Sequence, residues 1–218
     1  MKSVTKIKEF YCNQFNAELV ARILAKKNKQ TPEYYLTLWE EKSKKAREKG
    51  TQISEFAEKY PSFPSPKLPE EMAVANWFGD TKYQVFAQEC KIVSEDLGIV
   101  GKPDTVLVNP ETGGFIVQDF KTSINLHKNY NGQKLRHSLK NYFDTPLTKY
   151  MIQLNLYKVL IEHEWGEYVE DMIVTWVGAE SEPHEWEIGC KNNYIDYRVP
   201  DITKFLLEDI KSGLHETQ

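Results

Sequence analysis

Asp104, Asp119 and Lys121 are the residues of this 218-residue sequence whose types and spacing could do chemistry. Asp104 ends the run Gly101-Lys-Pro-Asp104, and Asp119 and Lys121 frame Asp119-Phe-Lys121. Between them, Asn109-Pro-Glu-Thr-Gly-Gly114 has the composition of a hairpin turn. If Val108 faces Phe115 across that turn, Asp104 lies directly opposite Asp119. Alternation along strands then puts Asp104, Val106, Val108, Phe115, Val117, Asp119 and Lys121 on one face, with Leu107, Ile116 and Phe120 on the other. Apolar residues on both faces imply a sheet covered on both sides. Two carboxylates facing each other there repel and resist ionisation. A divalent cation between them resolves that conflict, and Lys121 adds a second positive charge. Hard oxygen ligands in small number suit Mg²⁺ or Mn²⁺. Such an ion polarises a phosphoryl oxygen and lowers the pKa of water, while a nearby lysine stabilises the charge that builds up. The reaction class implied is metal-assisted phosphodiester hydrolysis.

Either fragment alone is a routine strand end or turn. Two more fragments flank them in order: Gly50-Thr-Gln-Ile-Ser54-Glu-Phe-Ala-Glu58 upstream and Gln153-Leu-Asn-Leu-Tyr157 downstream. Together the four resemble the motifs of the PD-(D/E)XK nuclease superfamily, in its branch of RecB-like and phage-type exonucleases, over roughly Lys45 to Leu160. The resemblance implies a restriction-endonuclease-like core with Asp104 and Asp119 as metal ligands and Lys121 as the catalytic lysine. Phe120 falls where a backbone carbonyl usually completes the metal sphere, and Glu58 would add a carboxylate from a helix. Gln153 and Tyr157, four apart and so on one helical face, match the pair that positions the DNA backbone in this branch. Glu89, on the preceding strand, fits a frequently acidic position, although an ordinary acid on a sheet face reads equally well. Ser54 departs from the pattern, which usually has histidine there, and the departure bears on whether one or two metal ions bind. The sequence has three cysteines, Cys12, Cys90 and Cys190, which cannot supply the four-cysteine iron–sulfur cluster that some relatives carry.

The stretch after the lysine speaks to substrate. Residues 122–150 interleave Lys128, Lys134, Arg136, Lys140 and Lys149 with Tyr130, Tyr142, Phe143 and Tyr150. Cations that track phosphates and rings that stack on bases suit single-stranded DNA or a frayed duplex end. This basic insert, with its His127 and His137 expected at the surface or facing DNA, would form a lid or arch over the cleft.

The elements that must position these groups are legible in outline. Residues 1–60 read as helical: Ala17–Lys27 has apolar residues at helical spacing, and Thr31-Pro32 marks a helix start running towards Lys49. Gly50 should end or bend that helix, with Thr51–Tyr60 a separate one. Pro61, Pro64, Pro66 and Pro69 make 61–69 a linker between the helical layer and the sheet. Strands are expected at Tyr83–Val93, Leu97–Val108, Phe115–Thr122, Asp171–Val177, Trp186–Gly189 and Tyr194–Val199. Helices are expected at Thr148–Glu164 and Ile202–Lys211. The expected fold is therefore α/β, a mixed central sheet flanked by helices with an N-terminal helical wall, in one nuclease domain spanning 1–218.

Composition agrees with that class. Forty per cent apolar residues exclude wholesale disorder. No apolar run approaches the roughly 20 residues of a bilayer span, and Met1–Phe10 is too charged for a signal peptide. A soluble protein of a reducing cytoplasm (a host cytoplasm if viral) is expected. The net charge of −4 argues against a histone-like coat but hides two basic stretches, 1–60 and 121–150, around an acidic middle, which permit a local anionic ligand. The leading expectation is a Mg²⁺- or Mn²⁺-dependent DNA exonuclease of recombination, repair or DNA degradation. A structure-specific DNA or RNA endonuclease on the same site, or a fold that binds nucleic acid without cleaving it, are the alternatives. No motif names a recombination or replication partner protein.

Overall fold

Pro103 explains how the strands are divided. Lacking an N–H, it cannot continue a ladder, so the chain leaves one sheet before it and joins another after it. The computed structural model describes residues 1–123, 125–178 and 193–213. Among these are the strands β1 (Lys2–Ser3), β2 (Gln84–Gln88), β3 (Ile92–Ser94), β4 (Ile99–Gly101), β5 (Thr105–Val108), β6 (Phe115–Lys121), β7 (Val169–Trp176) and β8 (Ile195–Arg198). A small sheet has the order β1-β4-β3, and a larger one the order β2-β5-β6-β7-β8. The larger sheet is mixed, because β6 and β7 run parallel while its other pairs are antiparallel. The two long strands expected at Tyr83–Val93 and Leu97–Val108 are corrected accordingly. Each is a pair of short strands shared between the two sheets. The expected strand at Trp186–Gly189, with Cys190, lies outside the described residues.

The hairpin register is the one expected. Val108 faces Phe115, Leu107 faces Ile116, Val106 faces Val117 and Thr105 faces Gln118. The turn closes with Asn109 N–H donating to Gly114 O at 2.9 Å and Gly113 N–H to Asn109 O at 2.8 Å. The two faces separate as alternation requires. Val106, Phe115 and Val117 enter one buried cluster, and Leu107, Ile116 and Phe120 enter another.

The helices that cover these faces are α1 (Val4–Tyr11), α4 (Pro69–Asp80), α5 (Pro146–Glu164), α6 (Thr203–Lys211) and the last turn of α3 (Pro32–Ala57). The first cluster joins Val4, Ile7 and Tyr11 of α1 to Ile152, Leu156 and Leu160 of α5 and to Leu206 and Ile210 of α6. The second joins Ile53, Phe56 and Ala57 to Val74, Trp77 and Phe78 of α4. The architecture is mixed α/β, with mixed sheets flanked by helices. No helix of the described residues is long and apolar enough to cross a membrane.

α5 supplies the crossover between the parallel strands β6 and β7, and its start is well specified. Thr145 caps it by accepting from Thr148 N–H at 3.2 Å, and Pro146 occupies the first turn, where its missing N–H costs nothing. From Met151 to Ile161 only Gln153 escapes full burial. A helix packed on several sides is mostly apolar all round, and its two buried polar side chains are partnered: Asn155 Nδ2 donates to Pro200 O at 3.0 Å and Lys158 Nζ lies 2.9 Å from Glu162 Oε1.

Two features of the helical region differ from expectation. Gly50 does not end the helix: α3 runs from Pro32 to Ala57. A glycine inside a helix costs about 1 kcal/mol relative to alanine, and the burial of Ile53, Phe56 and Ala57 just beyond outweighs it. The segment 61–68 connects two helices, not a helical layer to a sheet. It is held by ring stacking, Phe63 on Phe56 with centroids 4.9 Å apart, and its neighbour Tyr60 stacks on Phe78 at 4.4 Å.

The chain divides into two compact units, residues 1–13 with 53–218, and residues 14–52. Within the second, α2 (Ala17–Asn28) and the first part of α3 pair through Asn28 Nδ2 donating to Tyr35 Oη at 2.7 Å. An edge-on contact of Phe15 with Trp39 at 5.4 Å adds to that pairing.

Candidate active site

Gly101-Lys-Pro-Asp104 is shaped by three separate demands. A methyl group on Gly101 would meet Leu160 Cδ1 at 2.7 Å, Val4 Cγ2 at 2.9 Å and Tyr157 Cδ1 at 3.0 Å. Only glycine lets α1 and α5 approach the strand this closely. Pro103 moves the chain from the small sheet to the larger one. Asp104 sits at that switch, where its carbonyl accepts from Glu89 N–H at 3.0 Å and its carboxylate turns towards the hairpin partner.

Asp104, Asp119 and Lys121 come together as the register demands. Lys121 Nζ lies 2.6 Å from Asp119 Oδ2 and 3.7 Å from Asp104 Oδ2, and it stands 5.1 Å from the centre of the Tyr150 ring. Asp119 is fully buried and neither of its oxygens accepts a well-formed hydrogen bond, so its carboxylate relies on the ammonium. Burial and the neighbouring Asp119 charge push the Asp104 carboxyl well above its ordinary value. For Asp119, burial works in the same direction, but the Lys121 and Asp104 contacts outweigh it and hold the carboxyl low. Burial would lower Lys121, and the two acids overcome it and raise it. One acid is thus disposed to stay protonated beside one that is ionised, the usual outcome for carboxylates in contact.

A buried and a half-buried carboxylate on one ammonium, with the Asp119 oxygens lacking hydrogen bonds, form a donor set that a small divalent cation fits. Phe120 could add its carbonyl. Lys121 O accepts from Val177 N–H on the β7 side, so strand alternation turns Phe120 O towards the β5 edge, where the ladder has ended at Thr105. Among the described residues, no three His, Cys, Asp or Glu side chains converge on one point. Glu58 and Glu89 thus form no such group with the pair, although the charge of Glu89 acts on Asp104. Glu58 is exposed just beyond the last residue of α3, and Ser54 lies half-buried one turn earlier. Glu89 takes a left-handed backbone conformation (φ 49°) and forms an ion pair with Lys102. The charges of Glu89, Glu58 and Asp104 all act on that lysine, so Lys102 is the cation around which the outer acids gather.

Gln153 and Tyr157 share one face of α5, with Gln153 Nε2 donating to Tyr157 Oη at 3.1 Å. Burial, then the charges of Asp119 and Asp104, raise the Tyr157 hydroxyl pKa, which puts this pair beside the acids. A further group was not anticipated: Lys8 of α1 donates from Nζ to Gln153 Oε1 at 2.9 Å. Its signal is in the sequence. Val4, Ile7, Lys8 and Tyr11 follow helical spacing, so Lys8 is a cation set within an apolar stripe.

The basic insert is a packed element. Leu126, Leu135 and Leu139 are buried, Arg136 N–H donates to Tyr11 O at 2.8 Å, and Asp144 accepts from Asn13 N–H at 2.8 Å. Its aromatics divide into two kinds. Tyr142 and Tyr150 pack against the core, whereas Tyr130 and Phe143 are 62% and 54% exposed, with Lys128 and Lys134 standing over their rings. Lys149 is committed to Asp144 at 2.9 Å. His137 is half-buried and stacked on Phe10, with centroids 3.9 Å apart, whereas His127 is exposed. Replacing Lys134, Arg136 and Lys140 together by alanine should reduce the slope of log affinity against log salt for single-stranded DNA by about 2, at roughly 0.7 per phosphate contact. An unchanged slope in a filter-binding titration would put the phosphates elsewhere.

No protein-family model matches the chain, and no curated protein matches its sequence.

Proposed function

We propose that this chain is a divalent-metal-dependent DNA exonuclease with a restriction-endonuclease-like core. The observation that supports it most is the junction of Asp104, Asp119 and Lys121: a half-buried and a buried carboxylate of opposed ionisation on a shared ammonium, at the end of a hairpin. A purely structural ion pair has no need of the second acid, which costs stability. When bound, Mg²⁺ or Mn²⁺ would supply polarisation of a phosphoryl oxygen and a lowered pKa for water. Asp104, Asp119 and the Phe120 carbonyl would hold it. Lys121, its pKa raised by the two acids, stays protonated and acts as a cation that offsets charge building on the phosphoryl oxygens, not as a base. Gln153 and Tyr157 position the strand, and the exposed Tyr130 and Phe143 offer stacking surfaces to unpaired bases. The involvement of DNA and the exonucleolytic mode rest on the motif resemblance together with this chemistry.

One observation favours a second reading, a nuclease fold that binds nucleic acid without cutting it. No third acidic or histidine ligand joins the pair among the described residues. A single assay separates the readings: end-labelled linear single- and double-stranded DNA and closed circular DNA, each with Mg²⁺, Mn²⁺ or EDTA. Metal-dependent loss of linear DNA with circles spared is the expected result. Cut circles would replace the exonuclease by an endonuclease, and bound but intact DNA would favour the second reading.

A further inference from the structure

Lys8 is a cation withdrawn from water against a neutral partner. Its hydrogen bond goes to the Gln153 amide oxygen, and among the described residues no carboxylate lies within ion-pair distance of it. Burial, reinforced by the positive charge of Lys121, lowers its pKa. Its charge and that of Asp119 act on each other, but the two form no ion pair among the described residues. An apolar side chain would continue the stripe of Val4, Ile7 and Tyr11, and it would avoid the cost of withdrawing from water a charge that forms no direct ion pair. A half-buried cation whose hydrogen bond goes to a neutral amide is suited to receiving an anion from outside.

The hydrogen bonds give the arrangement a direction. An ammonium has donors only, so Gln153 presents Oε1 to Lys8 and is left with Nε2 for Tyr157. Tyr157 then accepts and keeps its own hydrogen to donate onward. The side of the site formed by α1 and α5 therefore offers donors, while the hairpin side offers carboxylates. A phosphodiester needs both, a cation for its non-bridging oxygens and a metal-holding acid pair at the bond to be broken.

Resting on the nuclease reading, we propose that Lys8 is a phosphate-binding residue of this cleft, held by Gln153 so that its free N–H groups take a non-bridging oxygen of the bound strand next to the Asp104–Asp119 pair. The ligand class is a nucleic-acid phosphodiester. Gln153 is the positioning residue for that ammonium, which gives the Gln153–Tyr157 pair a charged third member from the other end of the chain.

The test uses the full chain, a labelled single-stranded oligonucleotide in Ca²⁺ over a series of KCl concentrations, and Mn²⁺ binding followed by electron paramagnetic resonance. Lys8→Met should weaken DNA binding about tenfold, the worth of one charge-assisted hydrogen bond. It should also flatten the salt slope by about 0.7. Mn²⁺ affinity and Tm should not fall, and Lys8→Arg should restore most of the binding. Wild-type affinity and slope in Lys8→Met would overturn the assignment. So would a parallel loss of DNA binding, Mn²⁺ binding and Tm, which marks a structural role. Wild-type protein that neither binds nor cuts DNA would remove the nuclease reading and this proposal with it, whereas active wild type with an indifferent Lys8→Met removes the proposal alone.

Discussion

Lys121→Ala is expected to lower the cleavage rate at least about a thousandfold and to destabilise the metal-free protein at neutral pH. The first effect follows from losing the cation nearest the developing charge. The second follows from Asp119, which is fully buried and loses the ammonium 2.6 Å away. Removing one partner of a buried pair typically costs about 3–5 kcal/mol, because the other charge stays behind. The pH dependence has a definite sign. In the wild-type protein the Asp119 carboxyl is held low, so its contribution is present above the unfolded pKa and is lost as pH falls through the folded one. Without Lys121, burial dominates and raises that carboxyl, and the variant should recover stability towards acid pH. Chemical denaturation at pH 7.5 and pH 5, beside a cleavage time course, reads both effects. Lys121→Arg, which keeps the charge, guards against a variant that fails to fold. Near-wild-type cleavage by the alanine variant would remove the proposed centre.

Asp104→Asn is expected to act in opposite directions on activity and stability. Cleavage should be lost with one of the two carboxylates that would hold the ion. The metal-free protein, however, should melt about 2–4 °C higher at pH 7.5, the equivalent of roughly 1 kcal/mol for a chain of this size. Asp104 is raised by burial and by Asp119, so the native state binds this proton more tightly than the unfolded chain. The stability it contributes is complete below the unfolded value and disappears as pH rises through the folded one. Asparagine removes that loss, and the gain should shrink towards pH 4, where wild-type Asp104 is also neutral. Added Mn²⁺ should raise the melting temperature of the wild type and not of the variant. A variant less stable than wild type at pH 7.5 and equally responsive to Mn²⁺ would mean that the two acids are not in conflict.

Local chemistry decided what could be read from the sequence. The turn residues fixed the hairpin register, and the register fixed both faces and the meeting of Asp104, Asp119 and Lys121. The mixed sheet and α5 were legible for the same reason, since periodicity and turn signals agree there. The readings that failed depended on contacts distant in sequence. Pro103 was read as part of a strand because the competing small sheet is built from residues 2–3, far from its other members. Gly50 was read as a helix end because the tertiary burial that carries α3 past it is not a local property. α4 went unread, since its start lies directly behind the proline-rich run. It begins with Pro69, and Glu71 caps it by accepting from Leu68 N–H at 3.1 Å. Lys8 stood in plain view in an apolar stripe, but its partner is Gln153, and no short motif connects them.

That last contact joins residues 145 positions apart, while Asp104, Asp119 and Lys121 lie on a single hairpin. Closing the longer loop costs more chain entropy, and contacts of such separation slow folding. During synthesis the acidic trio can pair soon after it emerges, and α1 can meet the small sheet through β1 and β4, but the Lys8–Gln153 contact waits until α5 is complete. On the nuclease reading, a chain caught half-made would hold Asp104, Asp119 and Lys121 without the Lys8–Gln153 contact, so a complete site would belong to the finished molecule alone.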